Sequence, residues 1–394
     1  MNKLLIISFD AVSSGEWESM SARYTNIAAF ARTASVTLGV QSVFPSNTYP
    51  VHCSVATGVH PCDHGVSSNT HPFPTRYPRW ITDASAIHAR TLWQAASEAG
   101  LTVAAVLWPC TGGSPHIRWN IPEIHILPGE NQIAANLRSG SKLLQARMVL
   151  RYGKLRSGVS QPALDRFVTA CSADILRRNR PDLTLVHLSC YDALRHQNPG
   201  GSPQLDEAYA SLDENLGALL SAIDNDTVVI IFSDHAQLDV HTVLTPNDVL
   251  VGMGLLDASD AGYAIGDHRC YIECCGGSAF FHPGSLAPFD TTAVLESIAA
   301  SEGFSHLLTD EEMRISGRSD LPFGFSAKPG YSYNNVKPGA EPALKGNHGY
   351  PLDIAGYDVF YAVRGAGSIP GETRRGGTLL DIAPLARSIL GIHT

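Results

Sequence analysis

The chain has 394 residues, 44% of them hydrophobic and 16% charged, with a formal net charge of -9. That apolar share supports a large buried core and excludes a disordered chain or a coiled coil. The acidic balance argues against a nucleic-acid polymer or a membrane as partner, since binders of those anionic surfaces usually carry the opposite sign. Phosphate can still bind where metals or helix termini supply positive charge locally.

In chain order, the first element is the apolar run Leu4–Phe9, which ends at Asp10. A secretion signal needs roughly 7–15 apolar residues and a small-residue cleavage site, and this run has neither. No stretch approaches the roughly 20 residues of a membrane span. The expectation is a soluble, cytoplasmic chain. Similar runs follow at Thr102–Trp108, Leu183–Leu188, Thr227–Phe232 and Val359–Val363. They are continuous rather than alternating, as in parallel strands covered on both faces. Helical periodicity fills the gaps. Leu205, Tyr209, Leu212, Leu216, Leu219 and Ile223 form one face between Pro203 and Asp224, and Thr91–Ala99 and Leu379–Leu390 read alike. The alternation predicts a single α/β catalytic domain over residues 1–394, with a mostly parallel central sheet and helices on both faces.

Two stretches interrupt the pattern. Leu137–Gln161 carries Arg138, Lys142, Arg147, Arg151, Lys154 and Arg156 with no acidic residue. It reads as a small helical insert, open between a cap, an oligomer contact, a site for an anionic partner and a plain solvated face. Residues 254–345 are rich in Gly, Pro and aromatics and predict an inserted cap or subdomain. The eight cysteines suggest no disulfide framework. Cys270, Cys274 and Cys275 are read as buried thiols rather than a soft-metal site, because no CxxC pair is present.

Potential metal ligands gather at or after the strand-like runs. Asp10 follows the first, Asp192 and His196 follow Leu183–Leu188, Asp234 and His235 follow Thr227–Phe232, and His348 lies about ten residues before Val359. In open α/β sheets, ligands bind at the carboxyl ends of strands, so six side chains from four places converge on one edge. Three carboxylates and three imidazoles suit zinc, with manganese or iron as alternatives. Within Phe44–Gly58, Thr48 sits two residues before Pro50, which favours a helix start there. A hydroxyl near a helix N-terminus feels positive potential, yet Thr48 reads equally as a capping residue.

Taken together, these pieces resemble the alkaline phosphatase superfamily, and within it the type I phosphodiesterase/nucleotide pyrophosphatase branch. The matching pieces run in family order from Asp10 through Phe44–Gly58, His60–Gly65, Asn69, Trp108-Pro109, Asp192 and His196, and Ser233-Asp234-His235 to Gly346–Gly349. The resemblance implies an alkaline phosphatase-like fold and two zinc sites. One is implied for Asp192, His196 and His348, the other for Asp10, Asp234, His235 and the Thr48 oxygen. It further implies Thr48 as the nucleophile that forms a phosphothreonine intermediate, and Asn69 as a donor to a nonbridging phosphate oxygen. The secreted eukaryotic members carry disulfide-rich modules that are not expected in this chain, and residues 70–77 and 254–345, regions that typically set the substrate in this family, are left unassigned.

The leading expectation is a phosphodiesterase or nucleotide pyrophosphatase acting on a small phosphate ester, nucleotide or phosphonate. Tyr49, Phe73, Tyr77 and Trp108 are candidate walls for an apolar leaving group. A phosphonoacetate-type hydrolase would need cations such as Arg76, Arg90, Arg118 or Lys345, and a phosphomonoesterase would need more positive charge near the nucleophile. A metal-dependent phosphoglycerate mutase shares this core but uses a Ser nucleophile and a larger insert. Oligomeric state is open.

Overall fold

The structure is a computed structural model that describes residues 2–72, 78–259, 262–263, 270–284, 291–335 and 344–392. Phe73, Arg76 and Tyr77 lie outside the described residues.

The central sheet contains eight strands, numbered in chain order: β1 (Leu4–Phe9), β2 (Ser35–Val40), β3 (Val103–Val106), β4 (Trp119–Ile121), β5 (Leu183–Leu188), β6 (Val228–Phe232), β7 (Val359–Arg364) and β8 (Thr373–Arg375). Their spatial order is β8-β2-β7-β6-β1-β5-β3-β4. The continuous apolar runs have a direct cause. Leu5, Ile7 and Phe9 of β1 face one core, packed with side chains of helices Ser14–Arg23, Thr25–Thr33, Ala163–Asn179 and Leu205–Leu220. Leu4 and Ile6 face the other, packed with side chains of helices Thr48–Thr57, Leu92–Glu98 and Ile382–Ile389. Successive strand residues point to opposite faces, so a strand covered on both sides is apolar at nearly every position.

β1 pairs in parallel with β5 and β6, and β3 with β4 and β5. The exception is β7, which runs antiparallel to both β2 and β6. The reading of Val359–Val363 as a parallel strand is therefore corrected, since an apolar run reports burial and not direction. The reversal matters for the site. The segment entering an antiparallel strand lies at the edge where its parallel neighbours end, so His348, upstream of β7, still reaches that edge.

After β6, the strand Leu238–Leu244 pairs with Gly330–Tyr333 and Gly346–Asn347. A four-stranded antiparallel sheet is ordered Cys270–Cys274, Ser278–Pro283, Gly324–Ala327 and Phe304–Leu307. It has its own core, with Ile272, Phe281, Val294, Ile298 and Phe325. The basic stretch forms helices from Gln132–Ser139 and Lys142–Tyr152. All eight cysteines are free thiols, and Cys270 and Cys275 are buried. Among the described residues, no helix is long and apolar enough to cross a membrane.

Candidate active site

Thr48 opens helix Thr48–Thr57, with Asn47 as the preceding cap residue and Pro50 in the first turn. The helix stops at Gly58, whose φ of 82° suits a residue without Cβ. Every side chain of this helix is buried, which fixes the Thr48 hydroxyl in place. Its Oγ1 lies 3.3 Å from Nε2 of His235.

Two groups of donor atoms face this hydroxyl. The carboxylate oxygens of Asp10 and Asp234 and a ring nitrogen of His235 lie within 4.8 Å of one another, as do those of Asp192, His235 and His348. His196 completes the second group, with Nε2 3.3 Å from Oδ1 of Asp192. Asp192 lies in helix Cys190–Arg195 and His196 caps it, so their four-residue spacing places both on one helical face. All six sequence-selected ligands are brought together, with His235 lying between the two groups.

The surroundings aim these side chains. His196 donates from Nδ1 to the Gly346 carbonyl at 2.8 Å, which leaves Nε2 as the basic nitrogen. Gln237 donates to Oδ1 of Asp192 at 2.6 Å. The Asp165 carboxylate accepts the amides of Ser189 and Cys190 and so braces the turn before Asp192. The residue after Asp10, Ala11, has a φ of 69°, rare for a non-glycine, and its amide donates to Oδ1 of Asp234 at 3.2 Å. A Cβ on Gly349 would lie 1.7 Å from the Cys275 carbonyl oxygen, so only glycine lets the His348 loop pass there.

These residues suit bound cations. Oδ1 of Asp10 and Oδ2 of Asp234 are buried and have no hydrogen-bond partner among the described residues. Such carboxylate oxygens are costly unless a positive charge faces them. Burial, reinforced by the Asp192 charge, pushes the Asp10 carboxyl up to about 7. Burial and then Asp10 raise Asp234 well above the usual carboxylate range. Burial likewise lowers His348 to about 4, so its imidazole is neutral and can ligate. Two carboxylates and one imidazole, beside a second group of one carboxylate and two imidazoles, form a donor set that zinc accepts.

Asn69 accepts the backbone N–H of Tyr49 on its Oδ1 at 2.8 Å, which places its amide beside Thr48. Its loop is tied down on both sides. Arg318 donates to the Ser67 carbonyl at 2.9 Å and Tyr271 to the Pro72 carbonyl at 2.9 Å. Arg318 is buried and forms an ion pair with Glu273, which also accepts from Nε2 of His282 at 2.9 Å. The four-stranded sheet thus reaches the active site through backbone carbonyls.

Sequence reasoning missed two histidines. His187 of β5 contacts Oδ2 of Asp10 with Nε2 at 2.8 Å and donates from Nδ1 to the Leu107 carbonyl at 3.1 Å. Burial opposes charge on His187, yet the bonds to Asp10 and Glu123 hold its pKa well above the usual histidine value. His52 donates to the Thr48 carbonyl at 2.7 Å and lies 3.5 Å from Asp234. The only signal for either was a polar residue inside an otherwise apolar segment.

A cavity of about 440 Å³ opens beside Thr48, Asp10 and Asp192. Its walls include Tyr49, Trp80, His125, Phe167 and the run Ile121–Ile126, with Arg156, Val159 and Gln161 from the basic stretch. Trp80 stacks on His125 with ring centroids 3.8 Å apart. Of the aromatics proposed from sequence, Tyr49 lines this cavity, whereas Trp108 is buried against His52 and Phe232. Arg90, Arg118 and Lys345 do not line it; Arg90 pairs with Glu98, Arg118 lies over Trp119, and Lys345 is exposed.

The fold is shared with solved structures. Over the whole chain and 96% of the neighbour, the structure matches murine ectonucleotide pyrophosphatase/phosphodiesterase 5 at a TM-score of 0.72 and 17% identity, there as an inactive Thr-to-Ala variant in complex with AMP. The human counterpart matches at 0.70 and 17% identity. Among curated sequences, venom phosphodiesterases 2 and 1 of Crotalus adamanteus are each 20% identical over 259 residues, or 60% of this chain. The chain spans 27% and 26% of those relatives' lengths. The family model for type I phosphodiesterase/nucleotide pyrophosphatase matches residues 4–351, and the chain therefore belongs to that family.

Proposed function

We propose that this protein hydrolyses phosphodiester or pyrophosphate bonds of small molecules such as nucleotides, through a covalent intermediate on Thr48. The observation that carries the reading is the placement of the Thr48 hydroxyl, at a helix N-terminus and 3.3 Å from His235, against two groups of buried carboxylates and imidazoles. Asp10, Asp234 and His235, with the Thr48 oxygen, would hold one divalent cation, and Asp192, His196 and His348 a second. Zinc fits these donors best, with manganese or iron as alternatives. Such ions would supply Lewis acidity that favours the Thr48 alkoxide and offsets charge on the phosphoryl oxygens.

The chain's own residues do the rest. Thr48 attacks phosphorus in line, the P–O bond to the leaving group breaks, and a phosphothreonine remains. Asn69 donates its amide to a nonbridging oxygen and keeps the phosphoryl group oriented. Water then cleaves the phosphothreonine, which frees Thr48 and releases the phosphoryl product. Leaving groups enter the cavity walled by Trp80, His125 and Ile121–Ile126. Among the described residues, Arg156 is the one Arg or Lys that lines it, which favours a singly charged diester over a dianionic monoester. We read the chain as one catalytic domain, with residues 254–345 as a subdomain bracing the Asn69 loop and residues 137–161 as a smaller helical insert at the cavity. Free thiols throughout fit a reducing compartment such as the cytoplasm.

The test is a rate panel on zinc-loaded protein with a nucleoside triphosphate, a dinucleotide, bis-p-nitrophenyl phosphate, a phosphomonoester, phosphonoacetate and 3-phosphoglycerate. Preference for the nucleotides and the diester is expected. Preference for phosphonoacetate or the monoester would move the substrate assignment and keep the Thr48 site. Interconversion of phosphoglycerates with the diester left intact would overturn the hydrolase reading.

A further inference from the structure

Residues 131–180 carry ten Arg and Lys and only two acidic residues, Asp165 and Asp174. Both acids are buried. Asp174 is spent on three arginines of this same region, Arg147, Arg151 and Arg178. In a chain of net charge -9, this segment therefore presents cations with no exposed acid of its own, and Arg180 at its end pairs with the exposed Asp224. The same surface is also apolar. Among the described residues, nine large hydrophobic side chains are exposed, and six of them (Ile133, Leu143, Val149, Leu150, Leu155 and Val159) fall within residues 133–159.

Helix Lys142–Tyr152 shows why. Its inner face is buried through Leu144, Gln145 and Met148. Its outward face carries Leu143 and Leu150, seven residues apart on one stripe, at 89% and 88% exposure. Lys142, Arg147 and Arg151 border that stripe, and the exposed Arg138 and Lys154 lie in the residues flanking the helix. Core packing accounts for the inner face only, since a surface helix ordinarily turns polar residues outward.

We infer that this helical segment docks onto an anionic lipid surface, with its cations at the headgroups and Leu143 and Leu150 inserted at the acyl boundary. Three occupants compete for such a face, and the chemistry separates them. A second copy related by a two-fold axis would set the same cations against each other. A nucleic acid would match the charge but give the leucines no apolar partner. An anionic bilayer meets both requirements at once. The sequence-level expectation of no membrane contact rested on net charge, which averages this patch with a strongly acidic remainder. Arg156 and Val159 of the same segment line the cavity beside Thr48, so the docking face adjoins the active site.

The experiment is co-sedimentation of the full chain with vesicles of phosphatidylcholine alone or with phosphatidylglycerol added, over a salt series. Binding to the anionic vesicles is expected, weakening by about tenfold or more from low to high salt. The variant Leu143→Glu/Leu150→Glu should lose this binding while its turnover of a soluble diester stays unchanged, because both side chains lie on the surface. Lys142→Glu/Lys154→Glu should weaken it through charge alone. No binding to either vesicle would overturn the inference, as would binding that ignores both variants. Loss of a dimer in the leucine variant without vesicle binding would assign the face to a second copy instead. Equal binding to soluble polyglutamate, insensitive to the leucines, would reduce it to a cation patch and equally overturn the inference.

Discussion

The two halves of the candidate metal-ligand constellation are built differently. Asp10, Asp234 and His235 have side chains 0–3% exposed, held by strand ends, the Ala11 amide and two further histidines. Asp192 and His196 are 17% and 26% exposed and stand on a short helix braced by Asp165 and Gln237. Thr48, the proposed nucleophile, faces the closed half, where burial keeps its oxygen in register. Both halves reach the cavity, through Asp10 on the closed side and Asp192 on the open side, and the greater exposure of Asp192 and His196 leaves the room a leaving group and water need. The contrast teaches that one fold edge can supply a rigid side for the attacking group and an accessible side for exchange.

Removing the metals should give the largest effect of all. Treatment with a strong chelator is expected to reduce turnover to background, and zinc or manganese should restore it. Full activity in protein shown by elemental analysis to be metal-free would remove the basis for both halves.

Replacing the partner of each half sharpens the comparison. His187→Asn removes the imidazole that orients Asp10 and should weaken metal binding by roughly 10–100-fold, with activity recovering at high zinc. Gln237→Ala removes the side-chain hydrogen bond to Asp192 and should weaken just one of two titration steps in calorimetry. If both variants perturb both steps equally, the halves are not independent.

The closed half also sets a pH response in the metal-free protein. Burial, aided by Asp192, raises the Asp10 carboxyl from 3.8 to about 7. In that window the folded state binds more protons than the unfolded one, so stability falls as pH rises from about 4 to about 7. Thermal melts of chelated protein should show this decline, and zinc should remove it. Equal slopes with and without zinc would contradict the burial argument.

The smallest effect belongs to the loop that carries Asn69. Tyr271→Phe deletes one hydrogen bond to the Pro72 carbonyl, worth about 1 kcal/mol. A rise in KM of about fivefold with little change in metal content is expected. A change in metal affinity instead would mean that Tyr271 supports the metal ligands rather than the phosphate contact.

Much of this arrangement was legible in the sequence because buried parallel strands leave little room for polar residues. Leu4–Phe9, Leu183–Leu188 and Val228–Phe232 stood out for that reason, and the first acids and histidines after them lie together in the structure. β2, β4 and β8 were not legible. Ser35–Val40 mixes Ser, Thr and Gly with its apolar residues, Trp119–Ile121 is three residues long, and Thr373–Arg375 is an exposed edge. The direction of β7 was hidden because side-chain periodicity carries no sense of direction. His187 was concealed inside an apolar run, and its role becomes visible only when β1 and β5 pair in register. The cavity wall joins Trp80, Ile121–Ile126, Arg156 and Phe167, which no local pattern connects.

The central claim is that Thr48 is the nucleophile, and its most direct test is the turnover of Thr48→Ala alongside its metal content. The account predicts a fall in kcat on the order of 10⁴-fold or more, with metal staying near two ions per chain, because the six other proposed ligands would still hold the ions. Retained turnover in a fully loaded Thr48→Ala protein would contradict it and point to direct attack by water.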